Sequence, residues 1–364
     1  MRVVSIVGAR PQFVKLAPID HAFAQAGIDH VIIHTGQHYD PLLSDVFFED
    51  LGISAPDVHL GIGSGSHGEQ TGAMLQALDR ELPALHPDWV LVYGDTNSTA
   101  AGALSAVKLH IAVAHLEAGL RSFNRAMPEE INRIVTDHVS DLLLTPTAVG
   151  AEHLANEGLA DRTVVVGDVM TDVLMHTRDT VGHDDSPLLE ELALDDHSFS
   201  LATIHRAENT DDPERLRAIL HSLGEVPHPV VILAHPRLVA KCAQFNIPLT
   251  DGAWGNLRVH PPLAYPDLIK ASLHARSIVT DSGGLQKEAF LLRVPCTTVR
   301  PQTEWVETVQ LGWNVLVEPG QALVNAVSRP TPLEPADEDA HPYGDGHAAE
   351  RVAHTLLKTA IKRP

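Results

Sequence analysis

The chain has 364 residues, with 26 Lys and Arg against 47 Asp and Glu, a formal net charge of −21. That balance argues against nucleic acid as a partner, because phosphate backbones are bound by clustered basic residues. With 44% hydrophobic and 20% charged residues the composition is that of a globular protein, and the length exceeds what one compact core holds, so two domains are expected. The two cysteines, Cys242 and Cys296, cannot build a disulfide framework and offer no Cys-x-x-Cys zinc site. The opening MRVVSIVGARPQF is too short an apolar run for a signal peptide, and no later segment approaches about 18 apolar residues. A cytoplasmic protein without a membrane partner is the expectation.

Short β-branched runs alternate with longer helical stretches. Val3 to Gly8 reads as a buried strand, Gln12 to Gln25 as a helix and His30 to Thr35 as the next strand. Strands recur at Trp89 to Tyr93, Val113 to Leu116 and Leu142 to Thr145, with helices at Glu69 to Leu82, Thr96 to Leu109 and Pro128 to Val139. A second series has strands at Ser198 to Thr203, Val230 to Ala234, Ile278 to Thr280 and Thr297 to Val299, and helices at Pro213 to Leu223 and Pro266 to Leu273. Such alternation predicts βαβ units, and hence an α/β protein of two doubly wound, Rossmann-like domains over 1–168 and 169–346. The segment Arg329 to Gly346, with four prolines and five acidic residues, reads as an ordered surface connection. It leads to a last helix, Ala348 to Ile361, within a 347–364 tail expected to pack back on the first domain. Ligands of open α/β sheets bind beyond the carboxyl ends of the strands, so the expected site is a central cleft with the two domains facing it.

The motifs that follow strands are therefore the informative ones. Gly8-Ala9-Arg10-Pro11-Gln12-Phe13-Val14-Lys15 is a small-residue turn opening a helix; free backbone N–H groups, with Arg10 and Lys15, would suit a diphosphate. The bland alternative is a tight turn with two solvated cations, and no dinucleotide or P-loop fingerprint is present. Thr280-Asp281-Ser282-Gly283-Gly284 fits the same anion logic, and Glu288, one turn into the helix, could accept bonds from a ribose diol. Asp95, Glu117 and the pair Glu129-Glu130 follow strands or open a helix in the first half. Asp95 could be an N-cap and the pair ordinary first-turn carboxylates, whereas Glu117 has no cap to make. Carboxylates gathered on one rim suit general acid and base work. His205-Arg206 could receive phosphate charge or transfer a proton, or could be a satisfied polar turn. Two metal readings, His34 with His38 and His115-x-Glu117, fail for lack of further ligands.

Taken together, Gly8-Ala-Arg-Pro, Tyr93-Gly-Asp-Thr, His115-Leu-Glu-Ala-Gly-Leu-Arg121, Met127-Pro-Glu-Glu-Ile-Asn-Arg133, His205-Arg, Asp281-Ser-Gly-Gly and Tyr343-Gly-Asp-Gly resemble the non-hydrolysing UDP-N-acetylglucosamine 2-epimerases in order and spacing. The resemblance runs from residue 1 to the last helix. It implies the two-domain GT-B-like architecture, interconversion of UDP-GlcNAc and UDP-ManNAc, a homodimer, and no metal or nicotinamide cofactor. It also implies anti elimination of UDP to 2-acetamidoglucal, followed by re-addition with protonation at the opposite face of carbon 2. Asp95, Glu117 and Glu129 would be the carboxylates of proton transfer, with His205 assisting near the diphosphate. Arg10, Lys15, Arg133, Ser282, Gly283 and Gly284 would hold phosphates and sugar, Glu288 the ribose, and Pro261 to Tyr265, with Leu263, the uracil.

Departures from the main bacterial branch bear on the substrate. That branch reads Thr-Glu-Arg-Pro-Glu after the phosphate helix, whereas this chain has Thr303-Glu304-Trp305-Val306-Glu307. The chain is more similar to a sub-branch that includes epimerases of UDP-2,3-diacetamido-2,3-dideoxyglucuronate. Gln37-His38-Tyr39-Asp40 stands where the main branch has an activating Gln-His-Arg-Gln stretch, so activation by a second nucleotide sugar is expected to be absent or altered. A hydrolysing relative, a retaining glycosyltransferase and a non-catalytic nucleotide-sugar sensor are the competing classes, separated by their products.

Overall fold

The computed structural model describes residues 1–36, 53–182, 186–335 and 341–361, leaving aside the side chain of Arg10. The stretch 37–40 singled out above lies outside the described residues. By contact the chain divides into unit 1, Met1–Met175 with His341–Pro364, and unit 2, His176–Ala340.

Unit 1 is built on a seven-stranded parallel sheet. Its strands are β1 (Arg2–Val7), β2 (Asp29–His34), β3 (Val58–His59), β4 (Trp89–Tyr93), β5 (Ala112–Leu116), β6 (Leu142–Thr145) and β7 (Thr163–Val165), in the order β3-β2-β1-β4-β5-β6-β7. Its helices are α1 (Arg10–Ala26), α2 (His67–Leu85), α3 (Asn97–Lys108), α4 (Pro128–Val139), α5 (Ala148–Asn156) and the start of α6 (Val169–Val181). Successive strand residues point to opposite faces. Val3, Val7, Trp89, Leu91 and Tyr93 therefore join Phe13, Leu16, Ile19 and Phe23 of α1, whereas Val4, Ile6, Val90 and Val92 join Met74, Leu78 and Leu82 of α2 and Ala101, Ala103 and Ala106 of α3. Burial of each large apolar side chain contributes roughly 1.5–3 kcal/mol. That both faces are covered explains why the central strands read as predominantly apolar runs.

Unit 2 repeats the plan with six parallel strands in the order β10-β9-β8-β11-β12-β13. They are β8 (Ser200–Thr203), β9 (Val230–Leu233), β10 (Leu257–His260), β11 (Ser277–Thr280), β12 (Cys296–Thr298) and β13 (Asn314–Leu316). The helices are α7 (Pro187–Leu192), α8 (Ala207–Thr210), α9 (Pro213–Gly224), α10 (Pro236–Gln244), α11 (Tyr265–Leu273), α12 (Gly283–Leu291), α13 (Val306–Gln310) and α14 (Gln321–Val327).

The chain then returns to unit 1 as α15 (Ala348–Lys358), whose Val352 and Leu356 enter the core beside α1. The return is fixed at its start: Asp168 N–H donates to the Tyr343 carbonyl at 2.9 Å, and the Asp172 carboxylate accepts from the N–H groups of Ala348 and Ala349 at 3.0 and 2.7 Å. The contact boundary thus falls after Met175, inside α6, and residues 341–346 belong with unit 1, whereas the sequence reading divided the chain at 168 and 346.

Candidate active site

In each sheet the strand order reverses once, between β1 and β4 and between β8 and β11. Such switch points open a crevice at the carboxyl ends of the strands, where ligands of doubly wound sheets bind. The motifs singled out in the sequence leave the strands at these two places.

In unit 1, α1 carries Lys15 back over the strand ends, where its ammonium is hydrogen-bonded to the carboxylate of Glu117, just past β5. Burial opposes the Lys15 charge, but Glu117 foremost, then Asp168 and Asp95, outweighs it and holds the pKa above its ordinary value. Glu117 has a φ of 75°, left-handed backbone that non-glycine residues rarely adopt and that is found preferentially at functional sites. Gly94, with a φ of 60°, makes the neighbouring turn, and a Cβ there would lie 3.0 Å from Glu117 Oε2 and 3.6 Å from Lys15 Nζ. Directly after Gly94, Asp95 accepts from Arg133 Nη2 of α4 at 2.5 Å, and its backbone carbonyl accepts from Asn132 Nδ2 at 2.9 Å. The N-cap of α3 is Thr96; Asp95 does no capping.

Two sequence expectations change here. The N–H groups of Gly8 and Ala9 are not open to an anion, because the Gln12 side chain at the third helical position reaches back and accepts both, at 2.8 and 2.9 Å. The Gln12 amide in turn donates to the Tyr93 carbonyl at 2.7 Å, locking the turn onto β4. In the pair at the start of α4, Glu129 is exposed and Glu130 is buried. Glu130 accepts from the Ser122 and Phe123 N–H groups, the Ser122 hydroxyl and Arg133 Nη1. Burial would raise the Glu130 pKa, but these donors overcome it and hold the carboxyl below its usual range. Glu117, Lys15, Asp95 and Arg133 are thus brought together, and Glu129 is exposed on the first turn of α4.

In unit 2, a pocket of about 330 Å³ lies at the β8/β11 switch point, lined among others by His205, Pro262, Leu263, Tyr265, Ser282, Gly284 and Glu288. His205 follows β8 and is oriented by the fully buried Asp281, whose Oδ1 lies 3.1 Å from His205 Nδ1. The same carboxylate accepts from the His205 and Arg206 N–H groups at 3.0 and 2.9 Å and from Asn209 Nδ2 at 3.0 Å. Burial works against the Asp281 charge, yet these donors, led by His205, hold its pKa below the usual value. Glu288 Oε1 accepts from Tyr265 Oη at 3.0 Å. Burial, with Glu288 beside it, pushes the Tyr265 phenol well up, so it remains a donor. At the start of α12 a Cβ on Gly283 would meet Glu304 Oε1 at 2.6 Å, whereas Gly284 has nothing within 4 Å. Ser282 N–H donates to Thr280 Oγ1 at 2.9 Å.

Sequence reasoning missed Glu130, Asp281 as the partner of His205, and Tyr265 as the partner of Glu288. The Glu-Glu doublet does not by itself separate its members and the family resemblance points to Glu129 only, while the two pairings join residues 76 and 23 positions apart. Cys242 and Cys296 are free and buried, and burial pushes their thiols up to about 11 and about 12, which removes them as nucleophiles at neutral pH. Among the described residues no group of three or more His, Cys, Asp or Glu is placed to hold a metal ion, and no helix is long and apolar enough to cross a membrane.

The family model for UDP-N-acetylglucosamine 2-epimerase matches residues 21–357. The chain belongs to this family. It is 45% identical over 365 residues to the UDP-2,3-diacetamido-2,3-dideoxy-D-glucuronate 2-epimerase of Pseudomonas aeruginosa, covering 98% of this chain and 100% of the relative. It is 44% identical to a UDP-N-acetylglucosamine 2-epimerase homolog of Methanococcus maripaludis, covering 98% of this chain and 99% of that one. Among solved structures, the UDP-GlcNAc 2-epimerase of Methanocaldococcus jannaschii in complex with UDP-GlcNAc and UDP superimposes with a TM-score of 0.81 at 38% identity, covering 99% of this chain and 100% of that one. The epimerase family resemblance stated from the motifs is thereby established across the chain.

Proposed function

We propose that this epimerase-family protein inverts carbon 2 of a UDP-linked 2-acetamido sugar, UDP-GlcNAc to UDP-ManNAc, by elimination and re-addition of UDP. The observation that carries the reading is the pairing of Glu117 with Lys15 and of Asp95 with Arg133 on adjacent strand ends. Carbon 2 of the sugar bears an unactivated hydrogen. A carboxylate takes that proton while the bond from carbon 1 to the diphosphate oxygen breaks, leaving 2-acetamidoglucal and UDP. Re-addition of UDP with protonation of the opposite face completes the inversion, and no oxidant is consumed. Each step asks for a positioned base or acid and for cations near the leaving diphosphate.

In this reading Asp95, Glu117 and Glu129 move the protons, and Arg10, Lys15 and Arg133 supply positive charge. In unit 2, Pro262 and Leu263 take the uracil, Glu288 the ribose diol, and Ser282, Gly283, Gly284 and His205 the diphosphate. The bound UDP-GlcNAc and UDP of the Methanocaldococcus jannaschii structure support the choice of ligand. A second substrate, UDP-2,3-diacetamido-2,3-dideoxyglucuronate, is favoured by the 45% identity to the Pseudomonas aeruginosa enzyme. Offering both nucleotide sugars and comparing kcat/KM decides between them. Release of free UDP with N-acetylmannosamine would instead mark a hydrolysing enzyme, and no turnover of either sugar would remove the reading.

A further inference from the structure

The two carboxylates Asp95 and Glu117 leave adjacent strands, β4 and β5, whose last residues Tyr93 and Leu116 are paired in register. Both turns run through left-handed residues, Gly94 and Glu117. Turns of this kind persist only where their surroundings over-determine them. One side chain links them. His115, fully buried at the end of β5, stands two residues before Glu117, and its Nε2 lies 2.7 Å from the carbonyl oxygen of Gly94, the residue before Asp95. Its Nδ1 lies 2.6 Å from Oδ1 of the buried Asp137 on α4. Asp137 Oδ2 accepts from the N–H of Gly119 at 3.2 Å and from Arg121 Nη1 at 2.7 Å, and Arg121 donates on to both oxygens of Glu157. The far side of the Glu117 turn is therefore tied, through Gly119, to the same chain of buried groups.

We propose that His115 is the positioning residue that fixes Asp95 and Glu117 relative to each other, its bond to the Gly94 carbonyl being the working contact. This rests on the epimerase reading of those carboxylates. A buried His–Asp–Arg–Glu chain is a costly way to fill the end of a strand, where apolar side chains pack at no desolvation cost. What it supplies and apolar packing does not is a directed bond from one catalytic turn to the other. Misplacing a reacting group by about 1 Å costs on the order of a hundredfold in rate.

Two substitutions separate this role from simple support of the fold. His115→Gln places an amide nitrogen near the position of Nε2 and keeps the Gly94 bond, while His115→Asn places one near Nδ1 and keeps only Asp137. With the sugar that the wild-type enzyme turns over, His115→Gln is expected to stay within about tenfold of wild-type kcat, and His115→Asn to fall about a hundredfold with KM unchanged. Amide hydrogen exchange, read by mass spectrometry on peptides spanning 93–97 and 115–121, should be faster in His115→Asn than in His115→Gln or wild type. Parallel losses in both variants that follow their melting temperatures, or no difference in exchange or kcat, would overturn the proposal. Failure of the wild type to turn over either sugar would strike the epimerase reading, and the exchange comparison would still decide the role of His115.

Discussion

Arg133 Nη2 lies 2.5 Å from Asp95 Oδ2, joining α4 to the loop after β4 across 38 positions of sequence. The same guanidinium reaches Glu130 at 3.3 Å. Burial would lower the Arg133 pKa, but Asp95, Glu117 and Glu130 more than compensate and raise it. The cluster thus pairs each of Asp95, Glu117 and Glu130 with a cation, Arg133 or Lys15. Asp95→Asn, Glu117→Gln and Glu129→Gln are each expected to lower turnover about a hundredfold or more. Calorimetric titration should show UDP still bound by all three. Near-wild-type rates in all of them would show that proton transfer runs through other groups.

Gly94 tests how tightly the pair Lys15–Glu117 is fitted. Gly94→Ala imposes a left-handed backbone on alanine, costing about 1 kcal/mol, and sets its Cβ 3.0 Å from Glu117 Oε2. Gly27→Ala is the control, since its φ is 68° with nothing within 4 Å. Both variants should lose similar denaturant stability, and only Gly94→Ala should lose kcat, by about tenfold or more.

For the pocket of unit 2, Glu288→Ala is expected to weaken UDP binding about tenfold, the range of a hydrogen bond to a charged group. Tyr265→Phe removes the phenol that donates to Glu288 and should weaken UDP by a few-fold. Isothermal titration with UDP alone measures both. Unchanged affinity in Glu288→Ala would take the ribose away from this residue.

Away from the site, the core of unit 1 predicts an acid limit. Asp20 faces His30 Nδ1 at 2.7 Å and accepts from Ser54 N–H at 3.0 Å. Burial would raise the Asp20 pKa, but these partners lower it from the ordinary 3.8 to about 2. A carboxyl depressed on folding contributes stability that is complete above its unfolded pKa and is lost as pH falls through the folded one. Asp20 should therefore supply on the order of 2 kcal/mol at neutral pH, disappearing between about pH 4 and pH 2. Urea titrations of wild type and Asp20→Asn should differ at pH 7 and converge at pH 2.

The central strands were legible because both their faces are covered. Trp89 to Tyr93 and Leu142 to Thr145 are buried throughout and almost wholly apolar, and their bounds match β4 and β6. The unexpected strands β3, β7, β10 and β13 are the four sheet edges. Each has two to four residues, and β7 leaves Val164 and Val165 37% and 51% exposed, so no buried run marks it. α2 begins at His67, two residues before the expected Glu69, because the Ser66–Glu69 capping box starts it there; Ser66 N–H donates to Glu69 Oε2 at 3.1 Å. In the candidate site, residue types at strand ends were readable and pairings were not. Lys15 with Glu117 and His205 with Asp281 join positions 102 and 76 apart, and only the sheet order brings them together. The Gln12 side chain that fills the turn after β1 had a readable signal, a glutamine at the third position of a helix.

The most direct test of the epimerase reading is proton NMR of the purified protein with UDP-GlcNAc in D2O, and in a parallel sample with UDP-2,3-diacetamido-2,3-dideoxyglucuronate. Elimination and re-addition predicts appearance of the 2-epimer with deuterium at carbon 2 in at least one sample. A 2-epimer that keeps its carbon 2 proton, or neither sugar changing, would contradict it.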